Sequence, residues 1–109
     1  MTWEERWITV PTQQGMDRVV AECSGVWGVH PALMTGNELL FSVTHLPTGL
    51  RIGEPMKSRE RARKLALVLM EQKGWDDLGP DHIRERNKFV DDAVRKKFAA
   101  LASRAKESV

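Results

Sequence analysis

Three histidines, one cysteine and the aspartate pairs Asp76-Asp77 and Asp91-Asp92 are the residues of this chain that could carry out chemistry. His30, His45 and His82 could hold a metal or move a proton, and Cys23 could act as a nucleophile. None of the histidines stands at a ligand spacing from another His, Asp, Glu or Cys, so no metal centre is expected. Cys23 follows Val19-Val20-Ala21-Glu22, without a neighbouring cation to depress its pKa, and reads as a packed thiol. As the only cysteine it also excludes an internal disulfide. His45 ends a strand at a Pro-Thr-Gly turn, where hydrogen bonding to Thr48 or to a main-chain carbonyl gives it a structural role. Asp76-Asp77 and Asp91-Asp92 are paired by adjacency alone. Asp91 with Arg95 and Asp92 with Lys96 are four apart on a helix, the spacing of surface ion pairs. There is no nucleophile elbow, no glycine-rich phosphate loop, no dinucleotide fingerprint and no tyrosine. Neither an enzyme nor a cofactor is expected.

Two features remain that could bind rather than react. One is apolar width. Phe89, Ala93 and Ala100 broaden the buried stripe of the final helix, and with Lys97 they form the expected contact strip for a partner protein or a second copy. Leu67 and Val68 widen the preceding helix in the same way. The other feature is cationic. Lys57, Arg61 and Lys64 project opposite the buried stripe of the first C-terminal helix, with Arg59 and Arg63 at its flanks. Arg95 and Lys96 add charge from the final helix. Such cations on one surface are what phosphate contacts require, so nucleic-acid binding through Lys57, Arg61, Lys64, Arg95 and Lys96 is the alternative. A solvated face, its cations paired with nearby acids, explains the same residues; no aromatic is interleaved to stack on bases.

These residues are positioned by an alternation of strands and helices. Trp7–Pro11 is β-branched, aromatic and short, a first strand with Pro11 ending it or holding it at an edge. Met16, Val19, Val20 and Cys23 fall at helical spacing, so a short amphipathic helix is expected over Gln14–Ser24, stopped by Gly25. Val26–Leu33 returns to an extended pattern, and strands at Leu39–Thr44 and Leu50–Ile52 flank the Pro47-Thr48-Gly49 turn. Ser58 is an N-cap with Glu60 in the first turn. Ala62, Leu65, Ala66, Leu69 and Met70 make the buried stripe, and Lys73-Gly74 ends it. Trp75 tucks in a connector. From Pro80 a last helix could run to about Lys106, roughly 40 Å, unless it breaks near Asn87.

The chain of 109 residues is expected to be one domain, strand-rich over 1–56 and helical over 57–109. It is 41% hydrophobic and 29% charged, too apolar for general disorder. No apolar run approaches the roughly 20 residues of a membrane span, and the acidic start is unlike a secretory signal, so the cytoplasm is expected. The net charge of +2 is unevenly spread. Residues 1–56 hold three cations and six acids, residues 57–109 fourteen cations and nine acids, which points to an acidic partner for the second half.

The run His45-Leu46-Pro47-Thr48-Gly49-Leu50-Arg51-Ile52-Gly53, followed by an Ala-rich helix and Gly74-Trp75, resembles a pattern met in short, mostly uncharacterised proteins encoded by phages and prophages of actinobacteria. The resemblance covers about residues 41–75 and supplies no catalytic residues. It implies a small accessory protein that acts by binding a host or phage protein inside a bacterial cell.

The expectation is therefore an α+β fold: a small, mostly antiparallel sheet of three or four strands, a short helix after the first strand, and two C-terminal helices, the last long. Trp7, Trp27, Phe41, Val43, Leu65 and Leu69 should fill the core. Function is expected from protein contact or self-association through the final helix.

Overall fold

A computed structural model describes residues 3–12, 15–32, 39–84 and 88–108. The fold is α+β, as expected, with a five-stranded antiparallel sheet: β1 (Glu4–Thr12), β2 (Gly15–Ser24), β3 (Trp27–Pro31), β4 (Phe41–His45) and β5 (Leu50–Met56). The strands pair in chain order, each with its neighbour, so β1 and β5 are the two edges. Helix α1 (Arg59–Glu71) follows, then two short 3-10 turns at Trp75–Asp77 and Pro80–His82. A small hairpin of β6 (Ile83–Arg84) and β7 (Lys88–Phe89) leads into helix α2 (Asp92–Glu107).

Residues 15–24 correct the sequence reading most sharply. The helix expected over Gln14–Ser24 is strand β2, paired along its length with β1, which raises the expected three or four strands to five. Val19, Ala21 and Cys23 are buried while Val20 is exposed, which is a period of two. Met16 and Val20, which complete the helical period, are both exposed. Gly25, with φ +58°, therefore turns β2 into β3 rather than capping a helix. Other local readings hold. Gly49 has φ +74° in the turn after β4, and its N–H bonds the His45 carbonyl at 2.8 Å. Ser58 caps α1 by accepting from the Arg61 N–H at 3.1 Å.

The last helix is also shorter than the sequence allowed. It begins at Asp92, not Pro80, and its 16 residues span about 24 Å. Pro80 opens only a 3-10 turn, and Asp91, whose carboxylate accepts the Ala93 N–H at 2.8 Å, caps the helix proper. Asn87 and residues 33–38 lie outside the described residues.

The main core lies between one face of β3–β5 and the two helices. Trp27, Val29, Phe41, Val43 and Ile52 meet Ala62, Leu65, Ala66 and Leu69 of α1 and Phe98, Ala102 and Ala105 of α2. Trp75 and Leu78 of the connector close one end. Each large side chain contributes about 1.5–3 kcal/mol on burial. Five of the six expected core residues are here. Trp7 is the exception at 63% exposure. It pairs with Val20, beyond Glu22, and α1 sits over β3 and β4, so the outer half of the β1–β2 ribbon extends past the helix that would have covered it.

Candidate binding surfaces

The three histidines and Cys23 each hydrogen-bond within the fold. His45 is fully buried among three aromatic rings, with centroids 5.1 Å from Trp27, 5.3 Å from Trp75 and 6.4 Å from Phe98. Its Nε2 lies 3.2 Å from the Trp75 carbonyl and its Nδ1 2.9 Å from Thr48 Oγ1. A carbonyl only accepts, so Nε2 carries the proton and donates it; Nδ1 then accepts from the Thr48 hydroxyl. Burial pushes the imidazole pKa down to about 4, against the raising effect of the carbonyl bond. The structural role expected for this residue is the one its partners define.

His30 repeats the pattern on β3. Nδ1 donates to the Pro31 carbonyl at 2.9 Å, leaving Nε2 to accept from Thr44 Oγ1 at 2.7 Å. Burial lowers its pKa too. His82 Nδ1 accepts the Gly79 N–H at 3.1 Å. Cys23 is buried, and desolvation raises its thiol pKa, which disfavours the thiolate. No group of three or more His, Cys, Asp or Glu among the described residues is placed to hold a metal. Two concavities, lined in part by Trp27, Leu69 and Trp75 and by Val20, Glu22 and Arg59, measure about 150 and 160 Å³. Ligand pockets typically measure ~300–1,000 Å³.

The four residues expected to form a partner strip are divided by the fold. Phe89, on β7, is half-buried against Phe98, with ring centroids 5.3 Å apart. Lys97 reaches toward Asp77 at 3.5 Å. Ala93 and Ala100 are exposed on α2. Of the expected apolar width, Phe89 is taken up by packing, only the small Ala93 and Ala100 stay exposed on α2, and Leu67 of α1 stands outside at 40% exposure.

The cations also sort into two groups. Arg95 and Lys96 both pair with Asp92, at 2.8 and 3.4 Å, and these bonds hold the fully exposed Asp92 carboxyl below its usual pKa. Arg95 therefore takes Asp92, not the expected Asp91, because Asp91 is occupied as the cap. Arg59 and Arg63 reach across to Glu22 on β2; Arg59 also lies 5.2 Å from the Phe41 ring centroid. Lys57, Arg61 and Lys64 differ: Arg61 and Lys64 are exposed on α1, Lys57 is exposed just before its Ser58 cap, and no acid among the described residues pairs with them.

One surface escaped the sequence reading. Trp7, Met16 and Val20 are 63%, 61% and 41% exposed. The register places them on one face of the β1–β2 ribbon, with the Arg18 guanidinium 5.4 Å from the Trp7 ring centroid. The alternation Glu5-Arg6-Trp7-Ile8-Thr9-Val10 was a signal for a half-exposed strand; nothing local tells which face stays uncovered. No helix among the described residues is long and apolar enough to cross a membrane. Comparison with protein-family models, curated proteins and solved structures found no match.

Proposed function

We propose that this chain is a non-enzymatic binding protein acting through protein–protein contact, and that the outer face of the β1–β2 ribbon is its contact surface. One observation carries the reading: an exposed tryptophan sits on a nine-residue edge strand whose outer side has no partner strand among the described residues. Tryptophan on a surface supplies large apolar area for little conformational entropy, and unpaired strand edges accept other strands. The final helix offers Ala93 and Ala100 but little larger apolar surface, so the ribbon replaces it as the preferred site.

Affinity capture from the native host's lysate, with wild type against a Trp7→Glu, Met16→Glu variant, tests the reading. Wild type should retain at least one protein that the variant loses. An unchanged set of captured proteins would remove the ribbon from the mechanism.

The second reading, nucleic-acid binding, is favoured by the unpaired row Lys57, Arg61 and Lys64. Arg95 and Lys96 support it less, since Asp92 already neutralises part of their charge.

A further inference from the structure

The outer edge of β1 has a definite hydrogen-bonding layout. Thr12 pairs with Gly15, with only Gln13 and Gln14 between them in the sequence. Two-residue hairpins close on a hydrogen-bonded pair, and such pairs then alternate along the ladder. Thr12, Val10, Ile8 and Arg6 therefore bond inward to β2, while Glu5, Trp7 and Thr9 direct their N–H and C=O groups away from the sheet. Pro11 falls in the outward set, where its missing N–H costs β2 nothing, which agrees with the usual confinement of proline to edges. The opposite edge is less open: β5 carries Pro55 and a register shift, and α2 packs beside it.

We propose that the occupant of this edge is a second copy of the same chain, β1 pairing antiparallel with β1 about a two-fold axis through Trp7. This rests on the ribbon being a protein-contact surface and goes further by naming the partner and the register. The strand's own charges select that register. An axis at Glu5 sets Glu5 against Glu5, and an axis at Arg6 sets Arg6 against Arg6; like charges directly opposite destabilise a ladder. Axes at Ile8 or Thr9 bring Pro11 opposite Glu5 or Trp7 in outward pairs, and each loses a bond on both sides of the axis. The axis at Trp7 sets no like charges opposite and moves Pro11 to the end of the ladder, opposite Trp3 just outside β1. It sets Trp7 against Trp7, Glu5 against Thr9 and Arg6 against Ile8.

Charge on the exposed face fits the same arrangement. Glu5 of one copy would stand diagonally beside Trp7 of the other, and Arg18 already lies over that ring. The carboxylate and guanidinium thus meet across the seam, around two indoles removed from water. The two five-stranded sheets would become one continuous sheet.

The test is light scattering and sedimentation of the purified full chain across concentrations up to the millimolar range. Wild type should pass from monomer to dimer. Thr9→Pro deletes an outward N–H not used within the chain, and should remain monomeric while melting like wild type at concentrations where both are monomers. Glu5→Lys should weaken the dimer about tenfold. Adding Arg18→Glu to Glu5→Lys should restore it. A wild type monomeric throughout overturns the pairing, as does a dimer indifferent to Thr9→Pro or one dissolved by Ala100→Arg instead. If the purified chain is monomeric yet lysate capture still depends on Trp7, self-pairing fails and the protein-contact reading stands. If both fail, so does the surface.

Discussion

The Nε2 of His45 lies 3.2 Å from the main-chain oxygen of Trp75, and this one bond ties the turn after β4 to the connector after α1. The ring bridges sheet and helices from inside the core, surrounded by Trp27, Trp75 and Phe98. Its neutral form is part of the packing.

Stability should therefore depend on the proton of His45. Its pKa falls from an ordinary 6.5 to about 4 in the folded chain, so the unfolded chain takes up the proton first. The stability is fully present above about pH 6.5, declines as pH drops toward 4, and changes no further through this group below that. About 3 kcal/mol is at stake. His30, lowered in the same direction, steepens the decline. Urea unfolding of wild type and His45→Gln across this range isolates the effect, because the carboxylates contribute alike to both. Parallel curves for the two proteins would contradict it.

Glu22 fastens β2 to α1 through Arg59 and Arg63, and its side chain is largely buried. Glu22→Ala leaves two guanidinium groups without their acceptor and should cost about 1–2 kcal/mol. Arg59→Ala should cost less, since that side chain is 54% exposed and keeps water as a partner. Chemical denaturation midpoints at neutral pH compare them.

Gly53 has φ +68°, and a Cβ placed there would come within 2.8 Å of Lys106 Cδ. A lysine stem moves aside cheaply; a backbone held in the left-handed region does not. Gly53→Ala should destabilise by about 1–2 kcal/mol. Adding Lys106→Ala should recover little of that loss in thermal melts. Full recovery would make the contact, not the dihedral angle, the source of the cost.

For the nucleic-acid reading, Lys57→Glu, Arg61→Glu and Lys64→Glu should each weaken binding to duplex or single strands more than Lys96→Glu does. Each should also reduce the slope of log affinity against log salt by about 1. Titrations at several salt concentrations measure both. Equal effects at all four positions, or no binding at low salt, would count against the α1 row.

The sequence alone determined what depends on a few neighbouring residues. The Ser58 cap, the turn at Pro47-Thr48-Gly49 and the buried stripe of α1 were legible because dihedral limits, caps and a 3.6-residue period act within one or two turns of chain. Even the role of His45 followed from Thr48 three residues away. Tertiary structure decided what depends on distant partners. Val19, Ala21 and Cys23 became a strand because β1 supplied a nine-residue ladder, which outweighed a helical period that Met16 and Val20 only imitated. Phe89 turned inward because Phe98 offered it a ring, and Trp7 stayed outside because α1 ends short of it. Burial is a property of what lies across the fold, and a strand's own alternation leaves open which of its faces will be covered.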